Sequence, residues 1–432
     1  MSPLRPSGPR ESAHGGDAIT HTANTRAAQT SLALSNLRAV VILIVVGFHS
    51  SLAYLNFLGP KPFAFDAPPY EWRAFPIVDT HRFLGFDIFC AWQDVYLMAF
   101  MFFMSALFTW PSLTRKGTAK FLTDRLLRLG VPFVFAVTVV VPLALYPTYR
   151  ESVADPSVIG YSRHYLALPF LPNGPEWFLW ELLAMTMVAG CLHRFAPQIV
   201  VLLGRISASA GAHPIRYFAG LVTAAMLAYV PLALVFTPMA WIQHGPFGFQ
   251  FSRPLLYAVF YFAGLGVGAF GLDSGLLTPE GPLARNWLAW LTGALASFVL
   301  WMGLTAVAMN DKPTAPFALR VLVDASFALA CAGGCFFVLA ACLRFGVRRS
   351  RAFDSLANNA FAIYLLHYVF VVWLQYALLG VALFALAKGL IVLSAGLLLS
   401  WGTATALRYI PFGPLLIGEA APARLTSHRV QA

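Results

Sequence analysis

Charged side chains are scarce in this sequence. Asp, Glu, Lys and Arg make up 11% of the 432 residues, and hydrophobic residues make up 59%. In an ordinary soluble domain, about 25% of residues are charged. So few charges cannot cover the surface of a soluble protein of this length. The composition therefore excludes an ordinary soluble protein and predicts a chain that crosses a membrane several times.

Cysteines are also few, and they form no paired framework. The five are Cys90, Cys191, Cys331, Cys335 and Cys342. Four of them fall in or beside apolar runs, which favours small packing residues over a set of disulfides. Cys331 and Cys335 lie one helical turn apart without a neighbouring His or acidic ligand, so we predict no metal site.

Acidic residues are fewer than basic ones, and the formal net charge is +11. In a soluble protein this excess would suggest a nucleic-acid partner. In a membrane protein, Lys and Arg concentrate in short cytoplasmic loops, where they set the orientation of the chain. We therefore expect a lipid bilayer and no nucleic acid among the partners.

The first 35 residues lack an apolar run and are rich in Ser, Thr, Ala, His and Arg. Such a segment cannot bury enough apolar surface to fold, so we expect residues 1–35 to form a disordered cytoplasmic tail. We expect no cleavable signal peptide, because its n-region and short h-region are missing. Residues 36–405 are expected to form one transmembrane domain, and residues 406–432 a second cytoplasmic tail.

Long apolar runs are abundant in the transmembrane domain. They occur at about residues 37–57, 92–110, 130–147, 177–195, 216–238, 253–272, 285–308, 318–343, 357–379 and 381–403. At about 20 residues for each crossing, they predict an all-α bundle of about ten transmembrane helices. Nine or eleven spans stay open, because prolines interrupt the third run and only Gly380 separates the last two.

The distribution of basic residues predicts the orientation. The second connection contains Arg115, Lys116, Lys120, Arg125 and Arg128, and the eighth contains Arg344, Arg348, Arg349 and Arg351. A ten-span arrangement places both connections and both tails on one side. The positive-inside rule then puts both termini in the cytoplasm.

Two connections on the opposite side are long and rich in proline and aromatic residues, at about residues 58–91 and 147–176. Connections longer than about fifteen residues are often lids or binding loops. We therefore expect them to cover a pocket. The alternative is a belt of aromatic side chains at the membrane interface.

Arg38 and His49 bracket the first apolar run and lie eleven residues apart. On an α-helix this separation is about 1100°, close to three full turns, so both side chains share one face about 16 Å apart along the axis. Lipid tolerates neither group on its surface, so the pair indicates a functional site. The alternative is that Arg38 is an end-of-helix anchor and His49 a hydrogen-bonding residue between helices.

The segment LRAVVILIVVGFH resembles the Arg-x10-His signature of the first helix in the acyltransferase-3 family of integral-membrane acyltransferases. Further motifs agree in order: FMFFMSALFTWPSL with Ala106 for the usual Gly, DRLLRLGVPF through Arg125 and Arg128, GPEWFLWELLAM with its Trp-Phe-Leu opening, and NNAFAIYLLHYVF with Tyr-Leu-x-His. The resemblance covers about residues 34–405 and is greatest to the glucan-modifying branch. One departure is Ala99, where the family often has an acidic residue six positions before the serine.

The resemblance implies an O-acyltransferase in the inner (plasma) membrane of a bacterium. It would move an acetyl- or succinyl-type group from cytoplasmic acyl-CoA to a hydroxyl of an extracytoplasmic glycan or related carbohydrate. Arg38, Arg125 and Arg128 would bind the donor, because guanidinium groups form paired hydrogen bonds to phosphate oxygens. For the last two, anchoring of the loop or binding of lipid headgroups is the alternative.

His49 would act as the base that takes a proton from the acceptor hydroxyl. A carboxylate, either Glu181 or Asp94, is expected to hold its tautomer. The expected substrate contacts are Glu176, Trp177, Tyr364 and His367, although His367 could instead form a hydrogen bond between helices. Direct attack and a covalent acyl-histidine both stay open.

Three other polar or small-residue patterns are interpreted structurally. Arg320 and Asp324, four residues apart, are expected to form an ion pair. Ser105 is expected to pack between helices, because no base is placed to activate it. Gly264 and Gly268 predict a close contact between two helices.

Two other functions stay open. A secondary transporter or flippase for a carbohydrate-linked or anionic substrate would also have about ten spans with a few buried charges. The sequence shows no pair of corresponding interrupted helices of the kind that inverted repeats produce. A scaffold without catalytic activity in a glycan-export complex is the third possibility.

Overall fold

The computed structural model describes residues 13–310 and 315–419. Helix α1 begins at Ala13. The prediction of a disordered tail up to residue 35 is therefore wrong for residues 13–35. Ala33 and Leu34 are buried in the bundle, and the Thr30 hydroxyl donates to Leu277 O over 3.4 Å. The predicted tail residues 1–12 and 420–432 lie outside the described residues.

The described chain is almost entirely helical, which confirms the predicted all-α fold. The α-helices are α1 Ala13–Ser51, α2 Leu84–Leu107, α3 Thr109–Lys116, α4 Thr118–Arg125, α5 Val131–Phe135, α6 Val141–Ser152, α7 Val158–Ala167, α8 Trp177–Phe195, α9 Pro197–Ala208, α10 Pro214–Phe236, α11 Pro254–Phe270, α12 Pro282–Arg285, α13 Trp287–Asn310, α14 Phe317–Phe345, α15 Arg351–Ala377, α16 Ala385–Leu407 and α17 Gly413–Leu416. Strands β1 Trp241–His244 and β2 Phe247–Gln250 form an antiparallel hairpin in which Trp241 pairs with Gln250.

Nine helical segments in the described ranges are long and apolar enough to cross a membrane. They are Ala27–Tyr54, Leu84–Lys116, Thr118–Ser152, Gly174–Phe195, Pro214–Phe236, Trp287–Asn310, Phe317–Phe345, Arg351–Ala377 and Ala385–Leu407. A tenth is Pro254–Phe270, if it is joined to Gly275–Arg285, to which it is bent by 86°. Each of the ten predicted apolar runs therefore corresponds to one of these segments.

The third span stays continuous although it contains three prolines. Two π-helical turns, Leu126–Gly130 and Ala136–Val140, separate α4, α5 and α6. Pro132 and Pro142 stand in the first turns of α5 and α6, and Pro147 lies within α6. Proline lacks the N–H that an α-helix needs, so the wider turns that precede Pro132 and Pro142 let the helix continue there.

Helix α11 approaches α2 closely because it has glycines at the contact. A Cβ atom added at Gly264 would lie 2.2 Å from Phe103 O, and one added at Gly268 would lie 2.0 Å from Leu107 O. Only glycine permits this approach, which confirms the close contact predicted from the spacing.

One side of the bundle, which we call the loop face, contains residues 52–83, 153–173, 237–253 and 378–384. Phe65 stacks on Trp72 at 4.8 Å, and Tyr161 lies 5.8 Å from Phe65. The two long connections therefore pack on each other. The hairpin joins them, since Arg73 donates to Gln243 over 3.1 Å and Gln243 donates to Leu171 O over 2.7 Å.

A buried ion pair fixes the loop that follows α1. The Lys388 Nζ atom lies 2.6 Å from Asp79 Oδ2, and both side chains are fully buried. His81 Nδ1 lies 3.0 Å from Asp79 Oδ1. The pair ties the loop to the first turn of α16, because Lys388 is in that turn.

The opposite side, which we call the basic face, contains residues 113–118, 196–213, 271–286 and 346–350. The early part of α1 packs here, because Asn36 Nδ2 donates to Gly346 O over 2.6 Å and to Arg348 O over 2.9 Å. Helix α1 therefore runs from the basic face to the loop face. Arg38 lies near the first face and His49 near the second.

Candidate active site

His49 lies in the last turn of α1, next to a second histidine from α15. His367 is fully buried, and its Nε2 atom lies 3.1 Å from His49 Nδ1. The two ring centroids are 4.8 Å apart, with a 63° angle between the planes. The structure therefore joins these two residues, 318 positions apart in the chain, as one pair, which we call the histidine pair.

The hydrogen bonds of the histidine pair indicate which nitrogen carries each proton. His367 Nδ1 lies 2.6 Å from Tyr364 O. Because a carbonyl oxygen only accepts, this nitrogen donates, and Nε2 of the neutral ring then accepts. His49 Nδ1 must therefore carry the proton of its ring, and this one N–H is shared between His367 Nε2 and Val45 O, which lies 3.0 Å away. This assignment leaves a lone pair on His49 Nε2.

Neighbouring side chains hold the last turn of α1 in place. Gln375 Nε2 donates to His49 O over 2.8 Å. The rings of Phe48 and Tyr368 meet the His49 ring edge to face, with centroid distances of 5.0 Å and 5.8 Å. His49 remains half-buried while His367 is fully buried. Of the two residues, His49 is therefore the more exposed.

The expected carboxylate partner of His49 is replaced by His367. Asp94 instead forms a paired hydrogen bond with Arg253, with distances of 3.0 Å to Nη1 and 2.6 Å to Nη2. Glu181 is buried, and its Oε2 atom has no hydrogen-bond partner among the described groups. The structure therefore brings neither acid into hydrogen bonding with His49.

The expected ion pair between Arg320 and Asp324 is also wrong. Arg320 Nη2 donates to Leu234 O over 3.2 Å, and within the described ranges no oxygen of Asp324 lies within 4.0 Å of Arg320. Leu234 is in the last turn of α10. Carbonyl groups there have no partner within the helix, so a nearby guanidinium group binds them readily.

The expected substrate contacts fall into two groups. The Tyr364 hydroxyl donates to Pro175 O, which places Glu176 beside the turn that carries His367. Glu176 is fully buried, and neither carboxyl oxygen has a partner within the described part of the chain. Trp177 points elsewhere, with its ring stacked on Tyr257 at 5.8 Å.

Arg38 is exposed to a cavity of about 400 Å³ near the basic face. Its guanidinium group lies 4.7 Å above the ring of Phe108. The cavity is lined by Ala27, Thr30, Ser31, Leu34, Ser35, Arg38, Phe108, Leu272 and Asp273. Among the described residues no carboxylate lies within 4.0 Å of Arg38, so its charge is available to an anion in the cavity.

Arg125 and Arg128 do not line this cavity. Arg125 is half-buried, with its guanidinium group 5.2 Å above the Phe121 ring, and Arg128 is exposed. Both lie at the start of the third span, as expected. The three arginines thus share one side of the bundle but do not form one cluster around the cavity.

Sequence reasoning missed two residues of this region. Arg253 is the first residue of the sixth apolar run, and Gln375 lies two turns after His367. A signal for Arg253 existed, because a buried acid such as Asp94 needs a partner and Arg253 is the basic residue at the start of a span. Gln375 gives no such signal, because one amide in an apolar helix is common.

Comparison with known proteins gives one match. A family model described as an acyltransferase domain, of the acyltransferase-3 type, matches residues 31–405. No curated protein and no solved structure matches the chain. The matched region begins within α1 and ends within α16, so it includes the histidine pair, Arg38 and all but the outermost residues of the segments named above.

Proposed function

Because the chain belongs to the acyltransferase-3 family of membrane acyltransferases, we propose that it transfers an acetyl- or succinyl-type group from acyl-CoA to a carbohydrate hydroxyl. The observation that supports this most is the arrangement along α1. A free arginine faces a cavity at one end, and a histidine with an available lone pair lies at the other. One helix thus carries both the arginine proposed to bind the anionic donor and the histidine proposed to transfer the proton.

In the proposed reaction His49 Nε2 takes the proton of the acceptor hydroxyl as its oxygen attacks the thioester carbonyl. The carbon–sulfur bond breaks, and the coenzyme A thiolate leaves with the electron pair. The proton on His49 Nε2 then passes to this thiolate. The products are an ester and free coenzyme A, and His49 returns to its starting state.

His367 would position the base. Its Nε2 atom accepts from His49 Nδ1 over 3.1 Å, which keeps the His49 proton on Nδ1 and the lone pair on Nε2. When His49 becomes an imidazolium, the same hydrogen bond becomes charge-assisted and stronger. A neutral histidine thus takes the role of the carboxylate in a catalytic triad.

The donor would enter from the basic face. Arg38 would bind a phosphate of acyl-CoA, with Phe108 beneath its guanidinium group at 4.7 Å. The acyl-bearing arm would then extend along α1 for the roughly 16 Å that separate Arg38 from His49. Arg125 and Arg128 would add positive charge to the same face and attract the donor.

The acceptor would enter from the loop face. Positively charged connections concentrate on the basic face, which the positive-inside rule assigns to the cytoplasm. The loop face would then lie outside the cell membrane, where a glycan acceptor is found. Tyr364 would support the base from this side, because its backbone carbonyl accepts the hydrogen bond of His367 Nδ1. Glu176 is fully buried next to Pro175, so it would support this turn and not contact the acceptor itself.

Two measurements test this function. Mass spectrometry of cell-envelope glycans, with and without the gene, should show a mass difference equal to one acyl group. Purified protein given labelled acetyl-CoA or succinyl-CoA should hydrolyse the thioester, with water in place of the acceptor hydroxyl and the free acid and coenzyme A as products, and His49→Ala should abolish this release of coenzyme A. His213→Ala is the matched control and should keep full activity, because His213 is exposed at the basic face far from the histidine pair.

A transporter or a scaffold would differ from an acyltransferase in glycan acylation and in the release of coenzyme A. Glycans that carry the same acyl groups without the gene would contradict an acyltransferase. Full coenzyme A release by His49→Ala would contradict the assigned base.

A further inference from the structure

Aromatic side chains form a continuous contact line from the loop face into the bundle. Trp241, in strand β1, is 41% exposed. Its ring meets that of Trp177 edge to face at 5.9 Å, and Trp177 stacks on Tyr257 at 5.8 Å with a 23° angle between the planes. We call these three residues the aromatic line.

The aromatic line ends at the pair formed by Arg253 and Asp94. Arg253 Nη1 lies 3.5 Å from the Tyr257 hydroxyl and 3.0 Å from Asp94 Oδ1. The Arg253 side chain is only 5% exposed, whereas that of Asp94 is 43% exposed. Arg253 Nε is buried and has no partner among the described groups. The pair thus offers accessible carboxylate oxygens on a fixed support.

The hairpin that carries Trp241 is fixed to the bundle. Trp180 Nε1 donates to Gly248 O over 3.3 Å, and Asn173 Nδ2 donates to Pro246 O over 2.9 Å. Both donors lie in or next to α8, which also carries Trp177. The two tryptophans are therefore held in a constant relation to each other.

The start of α8 links the aromatic line to the histidine pair. Trp177 follows Pro175 by two residues, and Pro175 O accepts the hydrogen bond of the Tyr364 hydroxyl. Tyr364 O in turn accepts from His367 Nδ1. A ligand on the exposed face of Trp241 would thus lie at the loop face, from which the acceptor is proposed to reach His49.

We propose that Trp241, Trp177 and the Asp94–Arg253 pair form the acceptor subsite, and that it binds an uncharged glycan. This inference rests on the proposed function. Aromatic faces pack against the C–H faces of sugar rings, and a carboxylate accepts hydrogen bonds from sugar hydroxyls. Asp94 already neutralises Arg253, so the subsite has no free positive charge for an anionic glycan.

The test separates the two halves of the reaction. Glycan acylation in cells is measured by mass spectrometry at equal protein levels, and the release of coenzyme A from acyl-CoA by purified protein, without acceptor, is measured in parallel. Trp241→Ala should lower glycan acylation about two- to tenfold, as loss of one aromatic contact predicts. Its release of coenzyme A without acceptor should equal that of the unmodified protein.

Two further variants sharpen the result. Trp241→Phe keeps an aromatic face and should restore most of the acylation. The double variant Asp94→Asn with Arg253→Gln removes both charges together, so no buried charge is left unpaired, and it should lower acylation while donor hydrolysis persists. Phe384→Ala is the matched control, because Phe384 is 66% exposed, outside the aromatic line, and should leave both activities unchanged.

Unchanged acylation by Trp241→Ala would overturn the subsite. A parallel fall of acylation and donor hydrolysis would also overturn it, because it would show a structural role for Trp241. If the unmodified protein neither releases coenzyme A nor acylates a glycan, the proposed function itself is wrong, and that result is distinct from both of these.

Discussion

The two ends of helix α1 present their ionisable side chains in opposite ways. At the basic face, Arg38 is exposed to a cavity and rests on the face of one aromatic ring. Near the loop face, His49 donates to Val45 O and His367 Nε2, and Gln375 binds its backbone carbonyl. The first group is free to meet a ligand, and the second is held in one orientation.

This difference fits two tasks. A group that binds a mobile anion needs a charge that the anion can reach, and an open guanidinium group can form paired hydrogen bonds to its phosphate oxygens. A base needs a fixed lone pair, because a displacement of about 1 Å can cost about 10²-fold in rate. Variants at the two ends should therefore change different kinetic parameters.

The largest effect is expected at the chemistry end. His49→Ala should lower kcat for coenzyme A release about 10²- to 10⁴-fold, because it removes the general base. KM for acyl-CoA should stay within about twofold, since binding energy for the donor comes from the basic face. Steady-state kinetics of the purified protein measure both values. A normal kcat would show that another group is the base.

The loop that follows α1 should depend on its buried ion pair. Lys388→Met leaves the fully buried Asp79 without its ammonium partner, and loss of one member of such a pair costs about 3–5 kcal/mol. Thermal unfolding in detergent should show a lower melting temperature. The double variant Lys388→Met with Asp79→Asn should recover part of the loss. Equal melting temperatures for the single variant and the unmodified protein would show that the pair does not stabilise the loop.

The second histidine should have a smaller effect than the first. His367→Leu removes the acceptor of the His49 Nδ1 hydrogen bond, so kcat should fall about 10- to 100-fold through misplacement of the base. His367→Gln offers an amide oxygen that can accept this bond and should retain more activity than His367→Leu. The same kinetic assay compares them. Equal rates for both variants would argue against positioning through this hydrogen bond.

The smallest of these effects is expected at the binding end. Arg38→Ala should raise KM for acyl-CoA about tenfold with little change in kcat, because one charge-assisted hydrogen bond in an open cavity is lost. Arg349→Ala is the matched control, because Arg349 has an 82% exposed side chain in a surface ion pair on the same face. Such pairs contribute little. An unchanged KM for Arg38→Ala would show that the donor binds elsewhere.

Much of the fold follows from the sequence. Ten apolar runs predicted ten helical segments, and the spacing of Gly264 and Gly268 predicted the close contact between α11 and α2. The common helix of Arg38 and His49 followed from periodicity alone. These features depend on one segment at a time, because the length of its apolar run and the spacing of residues along its helix determine them.

The partners of individual side chains could not be predicted in the same way. Periodicity shows which face of a helix a residue occupies, but it does not show which other helix packs there. His49 is paired with His367 and Asp94 with Arg253, and both partners come from segments far along the chain. The N-terminal tail was misjudged for a related reason, since Ala33 and Leu34 are buried only by contact with distant segments.

Donor binding and chemistry are thus assigned to opposite ends of α1. The most direct test is equilibrium binding of labelled acetyl-CoA or succinyl-CoA to the purified His49→Ala variant. We expect the His49→Ala variant to bind the donor with the same dissociation constant as the unmodified protein, although the variant releases no coenzyme A. A His49→Ala variant that no longer binds the donor would contradict this division.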